Sequence, residues 1–379
     1  MVFRLIIANS IEMGNDEVYY WTYPLHLQMN YFDHPPVLAL LMRITTLNML
    51  FQQEIFLRLG AVIGAAAGTW LSFSIGKKIK NERTGWFAAL LYNTSIYSSV
   101  IAGLFILPDS PQVVFWLLCL LLSLNFACNE NEKMPSIKTW VLWGVCTGIC
   151  IMCKVHGVFL WVGLGLYILT YNRALLTQKG LYISLIITAL IISPIFIWNW
   201  QNNFVTWQYH SSRVAVHTFS FDKDSFIQAV TGQLAYNNPL NVLVIILALI
   251  YYRRQKSLAQ PVKKLLLFMG LPLIITVTFM SMFNTVLPHW SGPGFVTLQI
   301  LAALYLDDIS RVSCVIPRFV KYATGLLVFV ISAGFIIIDY YPGTIGNKNK
   351  NDKLSKEFAK SYFIKTNETL RSQSPGLST

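Results

Sequence analysis

The sequence predicts an all-α protein that crosses a membrane many times. Of its 379 residues, 55% are hydrophobic and 12% are charged, whereas an ordinary soluble domain has about 25% charged residues. The apolar residues gather in runs long enough to cross a bilayer, and the basic residues gather in alternate loops between those runs. This combination excludes an ordinary soluble domain and indicates a polytopic membrane protein.

The predicted spans are mostly apolar runs of about 20 residues that are bounded by charged or turn residues. A shorter apolar segment precedes Asp16, and we interpret it as the remnant of a first helix whose start is missing or misassigned. Together these segments predict about 11 transmembrane helices. The longer runs lie at 57–76, 85–106, 110–127, 137–153, 155–171, 181–198, 228–251, 265–283, 290–307 and 319–338.

The basic residues predict the orientation of these spans. Sixteen Lys and Arg residues lie in one set of alternate loops, and five lie in the opposite loops between residues 14 and 316. Short cytoplasmic loops carry an excess of Lys and Arg, so the first set predicts the cytoplasmic face. The formal charge of +12 therefore reflects membrane orientation, and we expect no nucleic-acid partner.

The first extracytoplasmic loop is predicted to cover residues 14–56. Within it, residues 35–51 form a short apolar run with Arg43 near its middle, where a charge costs about 2.5–3.5 kcal/mol on insertion scales. We therefore expect an interfacial helix there rather than a span. The membrane domain is predicted to cover 1–340, followed by a polar extracytoplasmic tail over 341–379.

The histidines point to the outer face as the place for chemistry. All six of them lie on or beside the predicted outer loops, and histidine has no general reason to segregate in this way. The cysteines carry no such signal. Cys146, Cys150 and Cys153 share a helical face without a histidine or carboxylate among them, so packing explains them better than a metal site.

The first polar cluster of the outer loops is a pair of carboxylates, Asp16 and Glu17, followed by Tyr19 and Tyr20. Carboxylates beside aromatic rings at a membrane surface suit a general base next to a sugar or a lipid. The alternative is a helix N-terminus, where acidic side chains complement the helix dipole. We take the two carboxylates as catalytic candidates and the two tyrosines as candidate substrate contacts.

The second cluster contains Tyr31, Asp33 and His34, directly before two prolines that hold the chain extended. His34 is suited to contact a phosphate, or to bind a metal together with Asp33. A structural hydrogen bond between Asp33 and His34 is the alternative. All three residues are candidate substrate contacts.

The remaining candidates are spread over later outer loops. Asp109 lies between two prolines, as either a catalytic carboxylate or a helix cap. Lys154, Arg213, His289 and Trp290 add cations and an aromatic ring at the same predicted surface, where we expect substrate binding. A long side chain that reaches from a helix end to the interface is the alternative for Lys154.

These motifs occur in the order found in the PMT-like membrane glycosyltransferases. The sequence resembles this group, which includes protein O-mannosyltransferases and the bacterial aminoarabinose transferase of lipid A, from its start to residue 340. The resemblance implies the GT-C architecture and a site on the outer side of a bacterial inner membrane. It is carried by NDEVYYW (15–21), YFDHPP (31–36), LPDSP (107–111), CKVHG (153–157), PIFIWNWQNN (194–203) and PHWSGPG (288–294).

The resemblance also implies roles for individual residues. The Asp of the first-loop pair is the proposed base in such families, a role that falls to Asp16, and Asp109 matches a second acidic position. His34 stands where some relatives carry a Lys that meets the donor phosphate. No cofactor is expected to be obligatory, although Asp33 and His34 suit a divalent metal.

The function that follows is transfer of a sugar from a polyprenyl-phosphate donor to a lipid, glycan or protein acceptor. Asp16 would take the acceptor proton, the anomeric carbon would invert, and Lys154, Arg213 and His34 would stabilise the departing phosphate. A transporter or lipid flippase of the cell envelope is the alternative. It is disfavoured because the ionisable residues lie at span ends and no internal repeat is evident.

Overall fold

A computed structural model describes residues 1–127, 134–214, 220–255, 258–310 and 318–340. These residues form α-helices and short helical turns without any strand, which confirms the all-α prediction. The predicted tail over 341–379 lies outside the described residues. The helices are α1 (Val2–Ser10), α2 (Asn15–Trp21), α3 (Val37–Thr45), α4 (Glu54–Ile79), α5 (Glu82–Thr94), α6 (Asp109–Ser123), α7 (Ile137–Cys153), α8 (Phe159–Thr170), α9 (Lys179–Gln201), α10 (Val205–Val214), α11 (Lys223–Tyr236), α12 (Pro239–Arg254), α13 (Gln260–Met280), α14 (Gly292–Ile309) and α15 (Arg318–Tyr340).

The chain divides into two compact units, Met1–Leu327 and Val328–Thr379. The first unit holds α1 to α14, the start of α15 and every candidate site residue. In the second unit the described residues, 328–340, are the end of α15.

The helices α4, α9 and α13 are each long and apolar enough to cross a membrane. A fourth span results if α11 and α12 are counted together, although their axes meet at 94°. The helices α6 and α7 are apolar but shorter. The chain is thus a membrane protein, and the number of about 11 spans stays a prediction.

The helix α14 forms the centre of the first unit. It packs against α4, α5, α6, α12 and α13. Fifteen of its eighteen residues are buried, as expected for a helix that is apolar on all sides. The segment that precedes α14 is therefore held against a rigid core.

The prediction of one continuous helix over 85–106 is wrong, because the helix is interrupted after α5. Ser95 has an extended backbone, and a π-helical turn follows over Tyr97–Ile101, in which the Ala102 amide donates to the Tyr97 carbonyl at 2.8 Å. The single helix predicted over 228–251 is also wrong. Asn238 separates α11 from α12 with a φ of +64°, which Asn tolerates better than most residues.

Asn238 also ties the two breaks together. Its side-chain amide donates to the carbonyl of Thr94 at 3.0 Å, and its side-chain oxygen accepts from the amide of Leu240 at 3.1 Å. The breaks thus satisfy each other's backbone groups inside the protein, which is the condition for irregular backbone at membrane depth.

The first loop contains the short helices that were expected. Residues 35–51 include α3, which begins directly after Pro36. Arg43 on this helix donates to the carbonyl of Pro24 at 2.8 Å and to Asn48 at 2.6 Å. The charge is therefore satisfied within the loop itself.

Candidate active site

The centre of the candidate site is a buried ion pair between Asp109 and Lys154. Lys154 Nζ lies 2.7 Å from Asp109 Oδ2, and the two side chains are 3% and 2% exposed. The other carboxylate oxygen, Oδ1, accepts a hydrogen bond from the hydroxyl of Tyr97 at 3.2 Å. Removing two charges from water is costly, so a pair this deeply buried needs such additional hydrogen bonds.

Helix ends position both charged residues. Asp109 is the first residue of α6, where a carboxylate complements the helix dipole. Lys154 directly follows α7 with an extended backbone, and its carbonyl accepts from the side-chain amide of Gln112 at 3.1 Å. A short 3₁₀ turn then reverses the chain, and it needs Gly157, because a Cβ there would lie 2.7 Å from the amide nitrogen of Ile151.

Three histidines from different segments act on this pair. His289 Nε2 lies 4.0 Å from Asp109 Oδ2, and its side chain is 19% exposed. His34 and His156 interact electrostatically with both Lys154 and Asp109. Residues far apart in the sequence thus come together here, and the expectation that the histidines mark a site stays a prediction.

Burial and the positive charge of Lys154 keep His289 and His34 neutral at physiological pH. Both effects, burial first, lower the pKa of His289 to about 4 and lower the pKa of His34 well below the usual value. In the described part of the chain, Nδ1 of His156 is buried without a hydrogen-bond partner. The site thus combines one ammonium group with neutral imidazoles, each of which can donate one hydrogen bond and accept another.

Aromatic rings line the same place. The rings of Trp290 and His156 lie 5.3 Å apart, and those of Tyr236 and His289 lie 6.0 Å apart. Such rings offer apolar faces with polar edges, which suits contact with a sugar or a lipid.

The first loop adds a second group of residues around Asp33. The hydroxyl of Tyr19 donates to Asp33 Oδ1 at 3.1 Å, and the hydroxyl of Tyr23 donates to the same oxygen. Burial raises the pKa of Asp33. His34 Nε2 lies 3.9 Å from Asp33 Oδ2, and His210 Nε2 lies 2.9 Å from the Asp33 carbonyl oxygen. Asp33 is therefore a hub for hydrogen bonds as well as a candidate contact.

Tyr20 joins the first loop to the central ion pair. It is 8% exposed, and burial together with the charges of Asp33, Asp109 and Asp16 raises its pKa. Its ring lies 5.7 Å from that of His34. Asp16 is one turn earlier on α2 and is exposed. Tyr20 thus lies within electrostatic reach of both the exposed Asp16 and the buried Asp109.

Glu17 occupies a very different environment from its neighbour Asp16. Its two oxygens accept from Arg58 Nε at 2.9 Å and from Nη2 at 2.6 Å, and they also accept from the amides of Ile106 and Gly14. Arg58 is fully buried and donates further to the carbonyls of Ala8, Ile11 and Glu12. A carboxylate this fully engaged is poorly placed to take a proton, so the geometry favours a scaffolding role for Glu17.

Two further candidates are Tyr31 and Arg213. Tyr31 is buried, its hydroxyl donates to the Tyr23 carbonyl at 2.8 Å, and the two rings stack with centroids 3.8 Å apart. This supports the shape of the loop rather than direct substrate contact. The side chain of Arg213, near the end of α10, lies outside the described residues.

Sequence reasoning missed Tyr23, Tyr97, His156 and His210 as site residues. His156 lies in a motif that the sequence does single out. Tyr97 gave no signal, because it lies inside an apolar run. No cluster of three or more His, Cys, Asp or Glu side chains suited to a metal occurs in the described ranges.

The chain is similar to known membrane glycosyltransferases. Residues 33–198 match the family model of dolichyl-phosphate-mannose-protein mannosyltransferases. The chain is 20% identical, over 310 residues, to a lipid A galacturonosyltransferase of Rhizobium johnstonii, and this covers 80% of the chain and 64% of that relative. The predicted resemblance to PMT-like membrane glycosyltransferases is confirmed.

Two further similarities agree with this resemblance. An undecaprenyl phosphate-aminoarabinose arabinosyl transferase of Pseudomonas aeruginosa is 25% identical over 159 residues, 41% of this chain and 27% of that relative. The crystal structure of ArnT from Cupriavidus metallidurans bound to undecaprenyl phosphate superposes with a TM-score of 0.58 at 18% identity, covering 81% of this chain and 55% of that one. The shared fold is the GT-C fold. The chain spans less than two thirds of the length of these relatives.

Proposed function

We propose that this protein transfers a sugar from a polyprenyl-phosphate donor to an acceptor at the extracytoplasmic side of the inner membrane. The observation that carries the proposal is the buried Asp109–Lys154 ion pair, with the neutral imidazoles of His289 and His34 near it. The charges of Asp109 and of the exposed Asp16 both act on Tyr20, so the two carboxylates belong to the same part of the protein. This chemistry requires a cation that stabilises the anionic leaving group and a base that takes the acceptor proton. Lys154 meets the first requirement, and Asp16 meets the second.

In the proposed reaction, Asp16 removes a proton from the acceptor hydroxyl or amine as that atom bonds to the anomeric carbon. The bond between the anomeric carbon and the phosphate oxygen breaks, and its electron pair leaves with the prenyl phosphate. Lys154 and His34 stabilise the negative charge that develops there. Attack from the face opposite the phosphate inverts the anomeric carbon. The donor's lipid chain remains in the membrane beside the site.

The relatives suggest which donors to test first. One relative is named as a lipid A galacturonosyltransferase, and another as an undecaprenyl phosphate-aminoarabinose arabinosyl transferase. We propose the same chemical class for this chain, a sugar on undecaprenyl phosphate. Lipid A is the first acceptor to test, ahead of other glycans and proteins.

The proposal is tested with the purified protein in liposomes, radiolabelled undecaprenyl-phosphate sugars and lipid A. We expect label to appear on the acceptor with release of undecaprenyl phosphate, and Lys154→Met to lose this transfer. A parallel assay follows movement of the same donor between leaflets. If the donor moves between leaflets and no sugar is transferred to lipid A, other glycans or proteins, the protein is a transporter and the proposed enzyme activity is wrong.

Donor binding is expected to depend on pH in a defined direction. A phosphate beside Lys154 offsets the charge that lowers the histidine pKa values, so His289 and His34 bind protons more readily in the complex. Because the pKa is higher in the bound state, affinity for the donor, a phosphodiester with no second ionisation, rises as pH falls from about 6.5, the ordinary histidine pKa, to about 4, the pKa of His289 in the free protein.

Calorimetry in two buffers of different ionisation enthalpy counts the protons taken up on binding. His289→Gln is expected to reduce this number while retaining binding. An affinity that is constant over the same pH range, with no proton uptake, would contradict the expected role of the histidines.

A further inference from the structure

Tyr97 lies where the helical path of α5 is broken. The π-helical turn that begins at this residue closes with a hydrogen bond from the Ala102 amide, five residues along. Such turns are rare and occur frequently at functional sites. The Tyr97 side chain is fully buried, so the irregular backbone places an aromatic hydroxyl inside the protein.

The hydroxyl of Tyr97 and the ammonium group of Lys154 contact different oxygens of the Asp109 carboxylate. Tyr97 donates to Oδ1 at 3.2 Å, whereas Lys154 contacts Oδ2 at 2.7 Å and His289 lies 4.0 Å from that same oxygen. A carboxylate held at both oxygens has a fixed rotation. That rotation sets the direction in which Asp109 holds the Lys154 ammonium group.

Gly292 provides the space for the Tyr97 ring. A Cβ at this position would lie 2.4 Å from two carbon atoms of the ring, a distance that real Cβ atoms do not show. Gly292 begins α14, directly after the turn that carries His289 and Trp290. Tyr97 therefore touches both the segment that bears Asp109 and the segment that bears the histidine.

We propose that Tyr97 is a positioning residue that fixes the Asp109 carboxylate and, through it, the Lys154 ammonium group. The inference rests on the proposed function, because the benefit is a cation already aimed at the departing phosphate. Preorganised charge of this kind acts chiefly in the transition state. Loss of the Tyr97 hydroxyl therefore lowers kcat more than it weakens donor binding.

The kinetic test compares Tyr97→Phe with Tyr92→Phe. Tyr92 is a matched control, since it is buried on α5 and its hydroxyl has no hydrogen-bond partner in the described ranges. We expect Tyr97→Phe to lower kcat about tenfold, the effect of one lost hydrogen bond to a charged group, with a donor KM within about twofold of wild type. Tyr92→Phe should match wild type. Equal kcat values for the two variants would overturn the inference.

A spectroscopic test does not depend on activity. In protein labelled with ¹³C at the aspartate carboxyl groups, the infrared band that is absent from Asp109→Asn belongs to Asp109. We expect this band to shift in Tyr97→Phe and to stay in place in Tyr92→Phe. A band unmoved by Tyr97→Phe would overturn the inference even in an active enzyme. If the wild type transfers no sugar, the proposed function fails separately, and this band still decides whether Tyr97 holds Asp109.

Gly292→Ala should disturb the same contact between Tyr97 and Asp109, because Gly292 packs against the Tyr97 ring. The added methyl group displaces the Tyr97 ring, so the Asp109 band and kcat should change in the same direction as in Tyr97→Phe. Gly165→Ala is the control, because a Cβ at Gly165 meets nothing within 4 Å. A Gly292→Ala protein that folds and keeps both the wild-type band and the wild-type kcat would contradict the proposed contact.

Discussion

Replacing Asp16 with asparagine is expected to remove sugar transfer while the fold survives. An amide cannot accept the acceptor proton, and loss of a general base lowers rates by about 10²–10⁴-fold. Asp16 is exposed on α2, so its replacement leaves no buried partner unpaired. The measurement is kcat in the liposome assay, beside the unfolding curve of the same preparation in detergent. Transfer at the wild-type rate would show that Asp16 is not the base.

The adjacent residue provides a matched control with a different expected profile. Glu17→Gln leaves the fully buried Arg58 with an uncompensated charge, and breaking a buried pair in this way costs about 3–5 kcal/mol. We expect this variant to be less stable, whereas Asp16→Asn keeps wild-type stability and loses activity. A Glu17→Gln protein of normal stability would contradict the scaffolding role inferred from its contacts with Arg58.

This pair also illustrates what the sequence could and could not predict. Two adjacent carboxylates look alike in a sequence, and both were candidates for catalysis. Their difference arises from Arg58, which lies 41 residues beyond Glu17 on α4. A charged residue near the start of an apolar run is easily taken for an interfacial anchor. Only the fold reveals that its guanidinium group turns inward to meet the first loop.

Among the helices too, some features could be predicted from the sequence and others could not. The apolar run predicted over 137–153 coincides with α7, because its ends are set by local signals, a Ser136 cap and the extended Lys154. The breaks at Ser95 and Asn238 were not predicted, because hydropathy measures the average polarity of a segment and does not detect a hydrogen bond across it. The amide of Asn238 on the Thr94 carbonyl makes these breaks possible.

Within the candidate site, the central residues found from sequence are those at the ends of predicted spans. Asp109 and His289 stood out as polar side chains near prolines or aromatic residues, and Lys154 stood out as a cation at a helix end. Tyr97 did not, since an aromatic residue in an apolar run is ordinarily a packing residue. Its role depends on the π-helical turn and on Gly292, which lies 195 positions further along the chain.

Asp109→Asn is expected to cost both stability and activity, because it leaves the Lys154 charge buried and alone. The side chains of the pair are 2% and 3% exposed, and removal of one partner from such a pair costs about 3–5 kcal/mol. The free energy of unfolding in mixed micelles measures this loss. Glu82→Gln is the control, because the Lys77–Glu82 pair is 52% and 70% exposed and should contribute little.

The double variant Asp109→Asn/Lys154→Met separates the two effects. Removing both charges also removes the cost of burying them, so most of the lost stability should return. Transfer should stay absent, because no ammonium group remains to receive the charge of the departing phosphate. A double variant that regains activity along with stability would show that the pair only holds the helices together. A stable protein without transfer would mean that the ion pair serves the chemistry, since an uncharged pair at these positions stabilises the fold equally well.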